Sequence, residues 1–428
     1  MAMLYAVLLV FIVLLIWRIN HPGDLRLNRN FVGRYVKDLR GQGPTRLQVS
    51  RLALGPAGAD QAEERVYYSM VAGFADGSKR PLLAQIVYPL ESLQRERERN
   101  SRPGADEMMI DPSSSPMAMQ RGDYLERLKE DPFKDLTKEE QVLAAKKAQV
   151  DAELQGLRRL NQIGVFFPRL IAHDAKKLIT LTEGVGTSRL DDLLQQSEQG
   201  GRLALLQSVL ADLATFHDRG KDSVGFFPPG AGHFEKKIRD ELQNSLSSWE
   251  KVGAPVSREE FFEIIDAAEP LFRTTEAEIG LRLVDSSPRA FFMQGKTANR
   301  ISWDGVRSDV SAFDAIELVC DPATGLGAED ELSLFQYYLS HRDLSESETA
   351  EYEQQMTRLA VYYRLVLLGY LCQYRAAKLD RQGGIKYWGP GVISQAAARV
   401  MEEMASDPEL AGLLERLRPA LTIISRLD

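Results

Sequence analysis

One stretch of this chain, residues 291–301 (FFMQGKTANRI), places polar side chains directly after an apolar run. Gln294 and Lys296 lie in a short polar loop, Asn299 follows it, and Asp314 comes about fifteen residues later in VSAFDAIE. A glutamine cannot accept a proton at neutral pH, so residue 294 offers no general base. Asparagine in a turn and aspartate at a strand end are also ordinary turn chemistry. The role of these residues therefore depends on the elements that position them.

Strand signals dominate the first part of the chain. Residues 65–89 are two strand-like runs joined at Ala75-Asp76-Gly77-Ser78, which predicts a β-hairpin. The segment RLQVSRLAL predicts a strand before it, and FFPRLIAHDAKKLITLTEGV predicts two short strands after it. Between them, a long helix is expected from about Thr137 to Gly164. Residues 91–136 are charged, rich in Pro and Ser and without apolar period, so a mobile insertion is expected there.

Helix signals dominate the rest of the chain. Helices are predicted from Ser188, over the segment that ends at Gly220, and over most of residues 233–282. Two short strands, NRISW and RSDVSAFD, interrupt them, which places Asp314 at the end of an apolar strand. From about residue 330 onward the pattern is helical.

Composition restricts the class of partner. The formal net charge is −8, whereas a nucleic-acid-binding face needs an excess of basic residues, so no nucleic-acid partner is expected. Two cysteines cannot form a disulfide framework, and five scattered histidines lack metal-ligand spacing.

The N-terminus has the character of a membrane anchor. No charged side chain occurs from Met1 to Trp17, a length near the lower limit for a bilayer span. Basic residues follow the apolar run and none precedes it, so the positive-inside rule places the bulk of the chain on the cytoplasmic side of an inner membrane. A cleaved signal peptide is disfavoured because a basic n-region and a small-x-small site are missing. The bilayer is thus an expected partner, through residues 2–17.

The order of these elements resembles that of the protein-kinase-like fold: a small strand-rich lobe with one long helix, and then a larger helical lobe. Within that fold, the chain from about 45 to 400 is similar to the aminoglycoside and choline phosphotransferase branch and to lipopolysaccharide kinases. The segments that carry the resemblance are DAELQGLRRLNQIG, LADLATFHDRG and GAEDELSLF. The expected fold class is α+β, bilobal and protein-kinase-like, behind one N-terminal transmembrane helix. The expected segments are an anchor (1–18), a basic connector (19–44), an N-lobe that contains the insertion (45–182) and a helical C-lobe (183–428).

The resemblance implies roles for several residues of the first lobe, since this chemistry uses a glycine-rich loop, a lysine on the third strand and a helix glutamate. Gly55 and Gly58 occupy the loop, but no complete glycine motif exists. Gln85 stands where the lysine is expected and brings no charge. Glu153 stands in the place of the helix acid, without its lysine, and a solvated Glu on a helix face remains the alternative.

In the second lobe, the resemblance implies that Asn299 and Asp314 bind Mg²⁺. The catalytic base is then expected five residues before Asn299, and that residue is Gln294. Alignment on the glycine instead puts Lys296 in the place of the acid, so both registers lose the carboxylate. A positioned base contributes about 10²- to 10⁴-fold to the rate, so its loss cripples transfer without abolishing it.

A literal kinase string, HRDL, occurs at residues 341–344 but does not fit a catalytic loop. The residue five positions after Asp343 is Glu348 rather than Asn, and no strand with an Asp follows. Its surroundings predict a helix end, a turn and a new helix that Ser345 or Ser347 caps.

Three functions are open from the sequence. The joint loss of lysine and base favours a membrane-anchored pseudokinase with a regulatory or scaffolding role in an envelope-associated process, which binds a protein partner and, weakly, ATP with Mg²⁺. The alternative is an active phosphotransferase with relocated groups that acts on a lipid-linked sugar or another membrane-associated substrate, with Asp304 or Asp309 as the substitute carboxylate. The third is an unrelated helical interaction protein.

Overall fold

The computed structural model describes seven stretches of the chain, namely residues 27–52, 65–87, 138–230, 234–272, 279–283, 285–376 and 391–427. The described residues separate into two compact units at Thr187–Ser188. Unit 1 contains the described residues up to 162 together with 167–187. Unit 2 contains residues 163–166 and the described residues from 188 onward.

Unit 1 is built on a five-stranded antiparallel sheet. Its elements are helix α1 (Arg29–Tyr35), strands β1 (Arg46–Arg51), β2 (Arg65–Gly73) and β3 (Lys79–Val87), helix α2 (Lys138–Ile163), and strands β4 (Leu170–Asp174) and β5 (Ile179–Glu183). The strand order is β1-β2-β3-β5-β4. Strands β2 and β3 pair from Arg65 opposite Val87 to Gly73 opposite Lys79, which confirms the predicted hairpin. Gly77 takes the left-handed conformation that its turn requires, at φ +84°.

The two faces of this sheet have different neighbours. Successive side chains of a strand point to opposite faces, so residues two apart share a face. Tyr68, Met70 and Ala72 of β2 belong to a buried cluster that also includes Phe31 and Val32 of α1. Helix α1 falls inside the segment predicted as a basic connector, and its apolar side chains complete this core.

Helix α2 packs against the opposite side of the sheet. Val150 and Leu154 of α2 form a buried cluster with Val87 at the end of β3. The helix ends at Ile163, and Gly164 follows it at φ +86°, the left-handed conformation of a helix C-terminus. The predicted long helix and its glycine stop are confirmed.

Unit 2 is mainly helical. Its helices are α3 (Leu190–Gln196), α4 (Gln199–Gly220), α5 (Phe234–Glu250), α6 (Arg258–Leu271), α7 (Ala312–Val319), α8 (Ala328–Ser340), α9 (Glu346–Ala376), α10 (Val392–Ser406) and α11 (Ala411–Ile424). Its short strands are β6 (Ser188–Arg189), β7 (Ile279–Arg282), β8 (Phe292–Gln294), β9 (Thr297–Asn299) and β10 (Arg307–Val310). Strand β7 pairs with β10, and β8 pairs with both β6 and β9.

Helix α9 is the central packing element of unit 2. Most of its residues from Met356 to Tyr374 are buried, on several faces of the helix, as expected for a helix surrounded by others. Gly369 allows close packing, since a Cβ atom at this position would lie 2.5 Å from the Cα of Ser245 on α5.

Two expectations need correction. In the part of the chain that the structure describes, no helix is long and apolar enough to cross a membrane, so the transmembrane helix of the predicted fold class is not supported. Residues 1–17, where it was expected, lie outside the described residues. The predicted strand at Asp314 is also wrong, because β10 ends at Val310 and Asp314 lies in the first turn of helix α7. A strand-rich unit 1 and a helical unit 2 nevertheless confirm the α+β, protein-kinase-like fold.

The close contact at Gly369 predicts a loss of stability in the variant Gly369→Ala. The added methyl group has no space against the Ser245 backbone, so α5 and α9 must separate, at a cost of about 1–3 kcal/mol in the free energy of unfolding. Urea denaturation followed by tryptophan fluorescence measures this change, since Trp249 and Trp303 are buried in unit 2.

The matched control is Gly412→Ala, because a Cβ atom at Gly412, in the first turn of α11, would meet nothing within 4 Å. This variant is expected to be as stable as wild type or slightly more stable, since alanine favours a helix. Equal stability of the two variants would contradict the packing argument.

Candidate functional site

The predicted cofactor-binding residues lie in unit 1, where the structure describes two of the four. Gly55 and Gly58 fall outside the described residues. Gln85 is buried on β3, and its Nε2 donates a hydrogen bond to the Tyr67 hydroxyl at 3.0 Å. Glu153 on α2 has a cationic partner, because both of its carboxylate oxygens accept hydrogen bonds from the Arg65 guanidinium on β2. The helix glutamate is therefore paired with strand β2 rather than with β3.

The predicted base position and the predicted metal-binding asparagine share one hairpin in unit 2. Gln294 is the last residue of β8 and is exposed, and Asn299 is the last residue of β9, opposite Phe292. Gly295 makes the turn between the strands at φ +64°. Lys296 is exposed, and its carbonyl accepts a hydrogen bond from the Ser208 hydroxyl at 2.7 Å. These residues form a turn anchored on helix α4, and their catalytic roles stay predictions.

Asp314 lies at the centre of a buried polar cluster. Its carboxylate is completely buried and accepts hydrogen bonds from the backbone N–H of Leu283, the hydroxyl of Ser286 and Nε2 of His217. The Leu283 N–H lies 3.1 and 2.9 Å from the two oxygens, and the Ser286 hydroxyl lies 2.7 Å from Oδ1. Asp314 thus ties the first turn of α7 to helix α4 and to the loop after β7, of which the structure describes residue 283 and residues 285–287 (the 283–287 loop).

The protonation state of His217 follows from its neighbours. The Asp314 carboxylate is an acceptor only, so Nε2 of His217 carries a proton and donates it to Asp314 at 3.0 Å. In the neutral imidazole that burial favours, Nδ1 has no proton and accepts from the Tyr338 hydroxyl at 2.7 Å, whose oxygen accepts in turn from Arg342. Burial also lowers the pKa of His217 below its ordinary value, although Asp314 opposes that shift. The imidazole is therefore neutral at pH 7.

The HRDL string belongs to this cluster as a helix connection. Arg342 follows the end of helix α8 and also bonds Asp218 at 3.0 Å. Ser345 and Glu348 form a capping box at the start of helix α9: the Glu348 N–H donates to the Ser345 hydroxyl, and the Ser345 N–H donates to the Glu348 carboxylate. The predicted helix end, turn and serine cap are confirmed.

Two further charged side chains fix the 283–287 loop. Glu317, one turn after Asp314 on α7, accepts a hydrogen bond from the Ser286 N–H at 2.8 Å and one from Arg282 at 2.6 Å. Burial raises the pKa of Glu317, and Arg282 opposes that shift. Arg300, directly after β9, donates to the carbonyl of Asp285 at 2.6 Å. The loop backbone is therefore held by two acids on one side and a guanidinium on the other.

Asp285, in the middle of this loop, has an unusual backbone conformation and one open carboxylate oxygen. Its backbone has φ +75°, a left-handed conformation that is uncommon for a residue with a side chain and costs about 1 kcal/mol. Oδ1 accepts hydrogen bonds from the N–H and the hydroxyl of Ser287, and Oδ2 accepts none among the described residues. Asp285 is half-buried. A strained, clamped aspartate with one open carboxylate oxygen is the type of group found at functional sites.

Sequence reasoning missed Asp285 because the asparagine expected five residues later is Ala290. One signal was available. Asp314 and Glu317 stand three apart in AFDAIELV, an otherwise apolar helix, and two acids buried on one helix face require donors from a nearby backbone. Asp309, a predicted substitute carboxylate, is paired with Arg282 at 3.2 Å, and Asp304 lies in the electrostatic surroundings of Arg300.

The residues described do not assemble an evident metal centre. Among them, no group of three His, Cys, Asp or Glu side chains is placed to hold a metal ion. Both oxygens of Asp314 are occupied by protein donors, so coordination there would break buried hydrogen bonds. The metal roles of Asn299 and Asp314 stay predictions.

Comparisons with known proteins found similar solved structures only at low sequence identity. No family model matches the chain, and no curated protein matches it. Similar solved structures include a choline kinase from Cryptosporidium parvum Iowa II, with 11% identity, 93% of this chain and 100% of that chain covered, and a TM-score of 0.46. They also include an aminoglycoside phosphotransferase from Alicyclobacillus acidocaldarius, with 13% identity, 92% and 98% covered, and a TM-score of 0.42. A choline/ethanolamine kinase family protein from Mesorhizobium loti has 11% identity, 91% and 98% covered, and a TM-score of 0.43.

At these identities and TM-scores the likeness supports no further conclusion, and the fold is defined by the elements of this chain. A five-stranded antiparallel sheet with a helix between its third and fourth strands, followed by a helical unit with a short hairpin, defines it. This order of elements is the predicted protein-kinase-like arrangement.

The neutral, buried His217 predicts that unit 2 loses stability in mild acid. The folded-state pKa is lower than the unfolded value of 6.5, so the unfolded chain binds more protons as the pH falls below 6.5. This residue should remove about 1 kcal/mol of unfolding free energy between about pH 7 and about pH 5.5. Urea denaturation at each pH measures it.

The comparison variant is His217→Gln, whose amide still donates to Asp314 but does not titrate. The difference between wild type and this variant isolates the histidine from other groups, such as Glu317, whose raised pKa acts in the opposite direction. An identical pH dependence in both proteins would contradict the neutral imidazole.

Proposed function

We propose that this protein binds a nucleoside triphosphate and acts as a phosphotransferase in which Asp285 is the catalytic base. The observation that supports the proposal is the geometry of Asp285, a strained aspartate with one open carboxylate oxygen on a loop held by Asp314, Glu317 and Arg300. Kinase-like enzymes use an aspartate on such a loop to accept the proton of the substrate hydroxyl. This assignment is the earlier relocated-group alternative, with the carboxylate upstream of the hairpin rather than at Asp304 or Asp309.

The rigidity of the loop supports this role for Asp285. A base must be held within about 0.5 Å of its productive position by surrounding hydrogen bonds. The loop backbone makes such bonds through Leu283, Asp285 and Ser286, all to buried side chains. An ionised carboxylate in this position accepts a proton, whereas the Gln294 amide does not.

The second candidate function is a pseudokinase, and a specific observation favours it. Position 290, five residues after Asp285, is an alanine at the end of a short 3₁₀ helix, so the amide that binds the second metal ion in protein kinases has no counterpart there. Gln85 likewise brings no charge to the third strand. A protein of this kind binds nucleotide and regulates a protein partner without turnover.

The variant Asp285→Asn separates the two functions. Asparagine also tolerates a left-handed backbone and its amide oxygen still accepts from Ser287, so folding should be unchanged. If Asp285 is the base, release or transfer of labelled γ-phosphate from ATP by the full chain should fall about 10²- to 10⁴-fold. Thermal unfolding of both proteins, with and without ATP, checks fold and binding.

The control is Asp304→Asn, which removes a carboxylate from the surroundings of Arg300 and keeps an amide of similar shape in its place. It should retain the wild-type rate. A lower rate of phosphate transfer in Asp304→Asn, with the wild-type rate retained in Asp285→Asn, would assign the catalytic base to Asp304. Binding of ATP without turnover above the level of Asp285→Asn would favour the pseudokinase.

A further inference from the structure

Position 85 on β3, where the phosphate-binding lysine is expected, is occupied by a buried glutamine. Gln85 is 3% exposed, and its amide donates to the hydroxyl of Tyr67, the residue opposite it on β2. On its other side β3 pairs with β5, where the opposite residue is Thr180, which is 2% exposed. A glutamine enclosed in this way is bonded within the sheet through its Nε2 atom and supplies no positive charge to a ligand.

A cation stands close to that position on the neighbouring strand. Arg65 lies two residues before Tyr67 on β2, so it shares the sheet face of Tyr67 and Gln85, and it stands opposite Val87 of β3. Its Nη1 and Nη2 atoms both donate to the carboxylate of Glu153, the first at 2.8 Å. The charge lost from β3 is therefore present on β2, paired with the same helix acid.

The pair is also fixed in orientation. Gln149, one turn before Glu153 on α2, donates from Nε2 to Glu153 Oε1 at 2.9 Å. The side chains of Arg65 and Glu153 are 15% and 11% exposed, so the pair is largely buried but reaches the surface of unit 1. In kinases the lysine on the third strand needs its ion pair with the helix glutamate in order to meet the α- and β-phosphates. A planar guanidinium held by a carboxylate has the matching geometry for phosphate oxygens.

We propose that Arg65 replaces the third-strand lysine as the cation that binds the phosphates of the nucleotide, with Glu153 holding its guanidinium in place. This inference rests on the proposed nucleotide binding and identifies the phosphate-contacting residue of unit 1. It differs from a purely structural role, in which the pair only attaches α2 to the sheet.

The test compares the dissociation constants of ATP and adenosine for the full chain by isothermal titration calorimetry. The variant Arg65→Gln should weaken ATP binding about 10- to 100-fold, because a charge-assisted contact to phosphate is lost, and should leave adenosine binding unchanged. Arg65→Lys keeps the charge and loses the planar fork, so its ATP affinity should lie between those of wild type and Arg65→Gln.

Glu153→Gln separates the two roles of the pair. It breaks the ion pair but keeps the cation, so ATP binding should weaken less than in Arg65→Gln, and the preference for ATP over adenosine should be reduced but not lost. The matched surface control is Arg80→Gln, whose ion pair with Glu183 is 3.5 Å long and well exposed, and which should bind both ligands as wild type does.

Three results would overturn the proposal. If Arg65→Gln binds ATP as tightly as wild type, Arg65 is not the phosphate ligand. If Arg65→Gln and Glu153→Gln weaken ATP and adenosine equally, the pair has only a structural role. If wild type binds neither ligand, the proposed function itself fails, and this inference fails with it. Should Arg65→Gln not fold, the Arg65→Lys and Glu153→Gln measurements still decide between the two roles.

Discussion

The carboxylate of Asp314 is completely withdrawn from water, and the local structure of unit 2 depends on how that charge is compensated. Moving such an ion out of water costs several kcal/mol. Backbone and side-chain donors from Leu283, Ser286 and His217 offset this cost, and the Arg282 guanidinium lies 4.0 Å away. Because the donors come from α4 and from the loop after β7, neither segment can shift without leaving a buried polar group unpaired.

This compensation also explains how a strained residue persists at the loop. Asp285 makes few contacts through its own side chain, and its backbone conformation is unfavourable by about 1 kcal/mol. The hydrogen bonds from the loop to Asp314, Glu317 and Arg300 together exceed this cost, since each bond to a charged group contributes about 1.5–3 kcal/mol. The conformation of Asp285 is thus imposed by its neighbours.

The order of the strands and helices could be predicted from the sequence, and the position of the candidate base could not. The 65–89 hairpin and the helix that ends before Gly164 have local signals, namely turn residues and apolar period, and both formed as expected. Asp314 was misplaced because an eight-residue, mostly apolar helix has too little length to show a helical period. Asp285 was missed because residue 290, five positions later, is an alanine rather than the asparagine that would have aligned it with a kinase catalytic loop.

Long-range pairing was equally inaccessible to a single sequence. The Arg65–Glu153 ion pair joins residues 88 positions apart, across the residues 88–137 that the structure does not describe. Charge on a strand and charge on a helix are each ordinary surface features until the fold brings them together. The sequence showed that Gln85 brings no positive charge to β3. The structure shows that Arg65, on the neighbouring strand β2, carries such a charge.

The hydrogen-bond chain through His217 has a direction. Every donor in it, from Arg342 to Tyr338, then to His217 and finally to Asp314, points the same way, so the bond dipoles add rather than cancel. The polarised chain ends with the positive end of the His217 Nε2–H bond against the Asp314 carboxylate. A continuous chain of hydrogen bonds thus joins the connection between helices α8 and α9 to the loop that carries Asp285.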